Sequence, residues 1–255
     1  MQQGPVDQSG YERIHTGCHI HADIADIIIE ETVITKNSRS EEDKMNEKKT
    51  CVDCGILNCK TRDREYPEFC LTAELSEETI EKVSSLYEDE ENRKVSVISA
   101  QIENEFYLRY TRVEEVVEFA RRMGYRKIGI ATCVGLIDES RVLARILRKN
   151  GFEVYGAVCK IGSFLKTGVG VAEEDITRTG AVMCNPIMQA EVLNQADTDF
   201  NVVMGLCVGH DSLFYKYSKA LVTTLVAKDR VLAHNPAGAL YQAKAYYKKL
   251  LEEQK

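Results

Sequence analysis

The chain has 255 residues, 44% of them apolar, and a formal net charge of -7. That length supplies a core for one or two domains, and the acidic balance argues against nucleic acid or an anionic membrane as partner. No apolar run reaches membrane-spanning length and the start lacks a secretory signal, so the nine cysteines point to a reducing, cytoplasmic setting as ligands, reactive thiols or core residues.

Residues 1–50 read as a flexible N-terminal extension, rich in charge, with one apolar patch from Ile24 to Ile34. His15, Cys18, His19 and His21 cluster in it and would suit an extra metal site, though a tail is the plainer reading. The run beginning at Met45 is a plausible alternative start.

Residues 51–75 form a cysteine module. Cys51, Cys54, Cys59 and Cys70 follow a C-x2-C-x4-C-x10-C spacing, separated by charged and turn-forming residues. So few apolar side chains cannot fold this segment by burial, whereas four thiolates on a metal would supply the folding free energy. The spacing leaves zinc and an iron–sulfur cluster, 4Fe-4S, both open.

Residues 76–110 read as a helical connector. Ser76 is a plausible N-cap, with Val83 and Leu86 at helical spacing. A second helix from Val95 to Tyr107 carries Ile98, Ile102 and Phe106 on one face.

Residues 111–255 alternate helix and strand patterns. Thr111 caps a helix through Met123, closed by Gly124. Strands are expected at Lys127–Cys133, Glu153–Cys159, Gly180–Cys184, Asn201–Cys207 and Val222–Ala227. Helices are expected at Ser140–Lys149, from Pro186 with Asn185 as cap, from Asp211 as cap to Tyr217, and from Asn235-Pro236 toward Leu251. The fold class is therefore α/β, a parallel Rossmann-like sheet flanked by helices, joined to the N-terminal module. No G-x-G-x-x-G follows a strand, so the dinucleotide fingerprint is absent.

A second set of thiols carries the most content. Cys133, Cys159, Cys184 and Cys207 each close one of four successive strand patterns. Parallel strands bring their carboxyl ends to one edge, where such folds bind ligands. Buried cysteines are common as small hydrophobes, but that does not account for four terminal ones. These four are the expected cofactor ligands. Cys207, His210 and Asp211 form a donor-rich loop suited to acid–base or nucleophilic work. Lys228, Arg230, His234, Lys160 and Lys166 could bind an anion or serve simply as solvated loop residues.

Five motifs in order carry a resemblance. They are the C-x2-C-G-x3-C stretch with Cys70, Gly129 to Leu136 around Cys133, Cys184-Asn-Pro186, Gly205-Leu-Cys207-Val-Gly-His-Asp211, and Lys228-Asp-Arg230 with His234-Asn-Pro236. Together they resemble the DUF1847 family over residues 51 to about 250. The resemblance implies a metal at Cys51, Cys54, Cys59 and Cys70, for which zinc has been suggested, and supplies no reaction.

Two functions follow as expectations. One is a metal-binding protein with an iron–sulfur cluster or zinc, performing redox or sulfur chemistry at the strand-end cysteines with a small-molecule substrate or electron carrier. An iron–sulfur-dependent oxidoreductase is the enzymatic form of it. The other is a non-enzymatic, zinc-stabilised ligand-binding or metal-handling protein.

Overall fold

A computed structural model describes residues 48–252, apart from residues 177 and 179. The histidines and Cys18 of the extension, and the alternative start at Met45, lie outside the described residues. The chain divides into two compact units at Leu75/Ser76.

The first unit is built from turns. A 3-10 turn covers Cys51–Asp53, and two short helices follow, α1 (Asn58–Thr61) and α2 (Leu71–Glu74). The Asp53 carboxylate accepts from the Thr50 N–H at 2.8 Å and so closes a capping box around the first cysteine. Asn58 is the one buried residue among those described in this unit. Its Oδ1 accepts from the N–H groups of Asp63 and Arg64 at 3.0 and 2.9 Å, and its Nδ2 donates to the Arg64 carbonyl at 2.6 Å. A polar side chain, not an apolar core, organises the loop between Cys59 and Cys70.

The second unit opens with helices α3 (Glu77–Leu86), α4 (Glu90–Phe106) and α5 (Arg112–Met123). Ser76 caps α3 through the Thr79 N–H. The second helix starts five residues before the expected Val95, because the Asp89 carboxylate accepts from the Asn92 N–H at 2.9 Å and caps it there. Ile98 and Ile102 of α4 bury against Met123 of α5, with Phe106 and Phe119 around them. Thr111 and Glu114 form a capping box, and Gly124 closes α5 with φ +81°. Thr111→Ala should lower stability by about 1 kcal/mol, read as an earlier urea midpoint with unchanged slope.

The sheet has four parallel strands, β1 (Lys127–Thr132), β2 (Glu153–Val158), β3 (Phe200–Met204) and β4 (Leu221–Val226), in the order β2-β1-β3-β4. Between them run α6 (Ile137–Lys149), α7 (Pro186–Gln195) and α8 (His210–Tyr217), and a short α9 (Ala237–Tyr241) follows β4. One apolar layer joins α5 and α6 to the sheet through Val117, Leu143, Leu147, Ile128, Ile130 and Val202. The opposite layer joins α7 and α8 through Ala190, Leu193, Phe214, Ala131, Ala157 and Val203. Covering on both faces is why β1 and β3 are almost wholly buried. The order reverses between β1 and β3, so their carboxyl ends border the crevice in which open α/β sheets bind ligands.

Three further expected elements differ. Gly180–Cys184 is not a fifth strand. It makes one isolated antiparallel bridge, Val182 to Leu165, with Met183 N–H donating to the Phe164 carbonyl at 2.8 Å. Gly180 at φ +74° bends the chain before it and Pro186 starts α7 directly after it, so no length remains for a sheet strand. Helix α8 is capped by Gly209, and Asp211 sits in its first turn. The terminal helix stops at Tyr241, with a 3-10 turn later at Lys248–Leu250. Leu240, Tyr241 and Tyr246 are 74, 79 and 88% exposed, and a helix without a buried face lacks the packing that sustains it. No helix among the described residues is long and apolar enough to cross a membrane.

Candidate functional site

Cys133, Cys159, Cys184 and Cys207 line one cavity, together with Gln189, Leu206 and His210. The backbone explains the convergence. Cys133 follows β1 and its N–H continues the ladder to the Met204 carbonyl at 3.0 Å. Cys159 follows β2, and its N–H donates to the Thr132 carbonyl at 2.8 Å. Cys184 ends no strand, yet the next residue, Asn185, donates its N–H to the Cys159 carbonyl at 2.7 Å and ties it to the same edge. The Asn185 side chain then caps α7 through Met188.

Cys207 lies three residues beyond the end of β3. Gly205 makes that turn possible. Its φ is +66°, and a Cβ there would stand 2.1 Å from Leu136 Cδ1. The Cys207 carbonyl accepts from the N–H groups of His210 and Asp211 at 2.9 and 3.1 Å, which fixes the start of α8.

The sulfurs differ in environment. The Cys159 thiol is hydrogen-bonded to both Cys133 and Cys184 and keeps its proton, its pKa raised by those two neighbours and by burial. The Val134 N–H also points at its sulfur, at 3.3 Å. The same Cys159 contact is the largest influence holding Cys133 down, to about 5, helped by the Gly135 N–H and by Lys228. Cys184 is held down to about 3, first by Cys159, then by His210 and Lys160. Cys133 and Cys184 are therefore thiolates at neutral pH, sharing one protonated partner. Cys207 has a separate partner, the Arg230 guanidinium, whose Nη2 lies 2.9 Å from its sulfur.

Three cations surround the thiols. Lys160 donates to the Val182 carbonyl at 2.6 Å, Lys228 approaches Cys133, and Arg230 meets Cys207. None of the three forms an ion pair with a carboxylate among the described residues. The loop carrying Lys228 and Arg230 is set by Asp229, whose Oδ1 accepts from the N–H groups of Val231 and Leu232, and by His234 Nδ1, which accepts from the Asp229 N–H.

Two polar atoms of this cavity's lining are buried without a partner: Gln189 Oε1 and His210 Nδ1. Gln189 is fully buried, and its Nε2 donates to the Thr132 and Ala157 carbonyls at 3.1 and 2.7 Å. Its oxygen lacks any such satisfaction, an arrangement that costs free energy unless a ligand supplies the missing contact. Asp211 does not share this position: its Oδ1 accepts from the Ser212 N–H at 2.8 Å.

The cysteine module gathers its own thiols. Cys51, Cys54, Cys59 and Cys70 line a second cavity, of about 40 Å³, with Asn58 and Phe69. The Leu57 N–H points at the Cys54 sulfur at 3.5 Å. Among the described residues, no group of three or more Cys, His, Asp or Glu side chains is closed around a single metal-ion position. Two wider cavities, of about 350 and 730 Å³, lie along β4 and β2 and contain neither cysteine nor histidine. Size alone would favour them as binding sites. The cysteines and His210 line the smaller cavities instead.

Gln189 and the pairing of Arg230 with Cys207 were not readable from the chain. Gln189 is an ordinary helical position four residues after a cap, and Arg230 lies 23 residues from its sulfur.

The family model described as "Protein of unknown function (DUF1847)" matches residues 70–225. An uncharacterized protein of Methanocaldococcus jannaschii is 47% identical over 193 residues, 72% of this chain and 95% of that protein. All four cysteines of the sheet edge, with Gln189 and His210, fall inside the family match, and the chain belongs to the DUF1847 family.

Proposed function

We propose that the chain is a thiolate metalloprotein with redox or sulfur chemistry at the carboxyl edge of its sheet. The observation that carries this reading is the one cavity that Cys133, Cys159, Cys184 and Cys207 line together, with the unsatisfied Gln189 Oε1 and His210 Nδ1 beside them. The donor set fits a soft metal or an iron–sulfur centre. Thiolates are the ligands such groups take, and two of these sulfurs are already in that state. A cluster bound there supplies one-electron transfer.

The protein's own contribution is specific. Cys133 and Cys184 hold negative charge before any ligand arrives. Lys160, Lys228 and Arg230 balance it. Leu206 and Gln189 exclude water, and His210 carries a ring nitrogen able to accept or donate a proton at the cavity wall. In the module, Cys51, Cys54, Cys59 and Cys70 hold a second metal that staples residues 51–75. The cytoplasm suits both sets of free thiols.

The zinc form, a non-enzymatic ligand-binding or metal-handling protein, is favoured by one observation: the space between the sheet-edge sulfurs is too small for a water molecule. A cluster requires those sulfurs to spread, whereas a single ion requires less. Anaerobic purification separates the two. Broad visible absorption with iron and acid-labile sulfide is the expected result. A colourless protein with stoichiometric zinc moves the assignment to the second form, and a protein without either metal ends both.

A further inference from the structure

The four sulfurs at the sheet edge are not equivalent, and their differences divide the site. Cys133, Cys159 and Cys184 form one contiguous set. Cys159 touches both others, and the backbone ties the three together through the Thr132 and Cys159 carbonyls. Cys207 stands apart. Its side-chain partner is a guanidinium, it sits on a glycine-bounded loop between Gly205 and Gly209, and its neighbour Val208 is 92% exposed.

Resting on the metalloprotein reading above, we infer that Cys133, Cys159 and Cys184 are the protein ligands of the sheet-edge centre, and that its remaining position opens toward Cys207 and Arg230 to receive a small oxyanion substrate. Metal centres that act on substrates commonly keep three protein ligands and one open position, whereas structural sites are closed. The cations give the class of substrate. Arg230 and Lys228 reach the cavity from the loop after β4 and Lys160 from the loop after β2, and no described carboxylate pairs with them. A guanidinium presents a planar fork of donors that matches an oxyanion. In the substrate's absence it rests on the Cys207 sulfur. Of the two buried, unpartnered atoms, His210 Nδ1 can donate to the incoming oxyanion when it carries the proton, and Gln189 Oε1 can accept only from a protonated oxygen of that group. The cleft between the ends of β1 and β3 is where such a fold admits a ligand.

Cobalt(II) reads this division without an activity assay. The full chain, with and without Cys54→Ser to subtract the module's metal, is loaded anaerobically with cobalt. Bound metal and the near-ultraviolet sulfur-to-cobalt band are then measured. Cys207→Ser should retain the sheet-edge cobalt and its band intensity, while Cys133→Ser and Cys184→Ser each lose most of it. Cys159→Ser should do the same, and thermal melts identify any variant that has unfolded, in which case the two half-exposed positions decide. Acetate, a carboxylate probe, or sulfate, a tetrahedral one, should shift the visible cobalt bands, and Arg230→Gln should weaken that effect at least tenfold. Loss of cobalt from Cys207→Ser equal to the other three overturns this ligand set and leaves the metalloprotein reading intact. Indifference of the bands to both anions, or of the anion effect to Arg230→Gln, overturns the substrate position. Absence of any sheet-edge cobalt in the Cys54→Ser chain overturns the metalloprotein reading and this inference with it.

Discussion

Replacing Cys54 by serine is expected to remove one metal equivalent and the order of residues 51–75, while the sheet unit keeps its melting temperature. The physical basis is the contrast between the two units. The module buries only Asn58 among its described residues, and its 3-10 turn and two four-residue-scale helices are too short to stand alone. The sheet unit has two apolar layers of its own. A structural zinc contributes about 10–16 kcal/mol to folding in small modules. Losing one of four thiolates therefore removes the main term holding this segment. Elemental analysis and limited proteolysis measure both halves of the expectation: less metal per chain, and new cleavage confined to residues 51–75. Full metal content in the variant would count against a four-thiolate module, and a matching fall in the sheet unit's melting temperature would show that the two units do not fold independently.

The same contrast explains what could be read from the chain. Local chemistry was legible. Thr111 with Glu114, Gly124 after Met123, and Asn185 before Pro186 each mark a helix end through a contact made within a few residues. The near-continuous apolar runs announced a sheet covered on both faces, though with five strands expected and four found. What depended on distant partners was not legible. Residues 180–184 have strand-like composition, but their partner is Leu165, in the loop after β2, and nothing local forbids or requires that choice. The last helix has a helical pattern and no surface to bury it against, so it ends after five residues. The strand order β2-β1-β3-β4 was invisible for the same reason, although strand direction was not. The expectation that the four cysteines share an edge came from direction alone. It places Cys133 and Cys159 correctly at strand ends. Cys184 reaches the edge by a different route, through the hydrogen bond of Asn185 to the Cys159 carbonyl. Sequence reasoning could thus find the sulfurs and single out Lys228 and Arg230 as anion binders, but not their pairing with Cys133 and Cys207, nor Gln189.

That character sets the second large effect. In the metal-free protein, alkylation of Cys133 by iodoacetamide should be nearly independent of pH between 6 and 9, where an ordinary thiol speeds up about tenfold per pH unit until its pKa near 8.5. Cys133 is half-ionised at about 5, held there first by the hydrogen bond from Cys159. At pH 6 it is mostly thiolate, against about 0.3% for an ordinary thiol, a gain of about 300-fold in reactive form. Intrinsic nucleophilicity falls with pKa at a Brønsted slope of about 0.4–0.5, which removes about 30-fold of that over 3.5 units. A net advantage of about tenfold at pH 6 remains at equal access. Cys184, at about 3, has gone further down the same slope and should react more slowly than Cys133 despite being fully ionised. Cys159→Ala removes the largest cause and should move the Cys133 half-point upward. The stability of the metal-free fold follows with a definite sign. Both depressed thiols bind fewer protons folded than unfolded below pH 8.5, so the stability they contribute is complete above about 8.5 and is lost as pH falls toward about 5 for Cys133 and about 3 for Cys184. Cys159, shifted the other way, opposes further gain at higher pH, so the urea midpoint should climb from pH 5 to 8 and turn over beyond about 9. Peptide mapping by mass spectrometry resolves the individual alkylation rates. A Cys133 rate that rises tenfold per pH unit from 6 to 8 would mean that its sulfur is an ordinary thiol, and that the sheet edge holds no ready-made thiolate for a metal to meet.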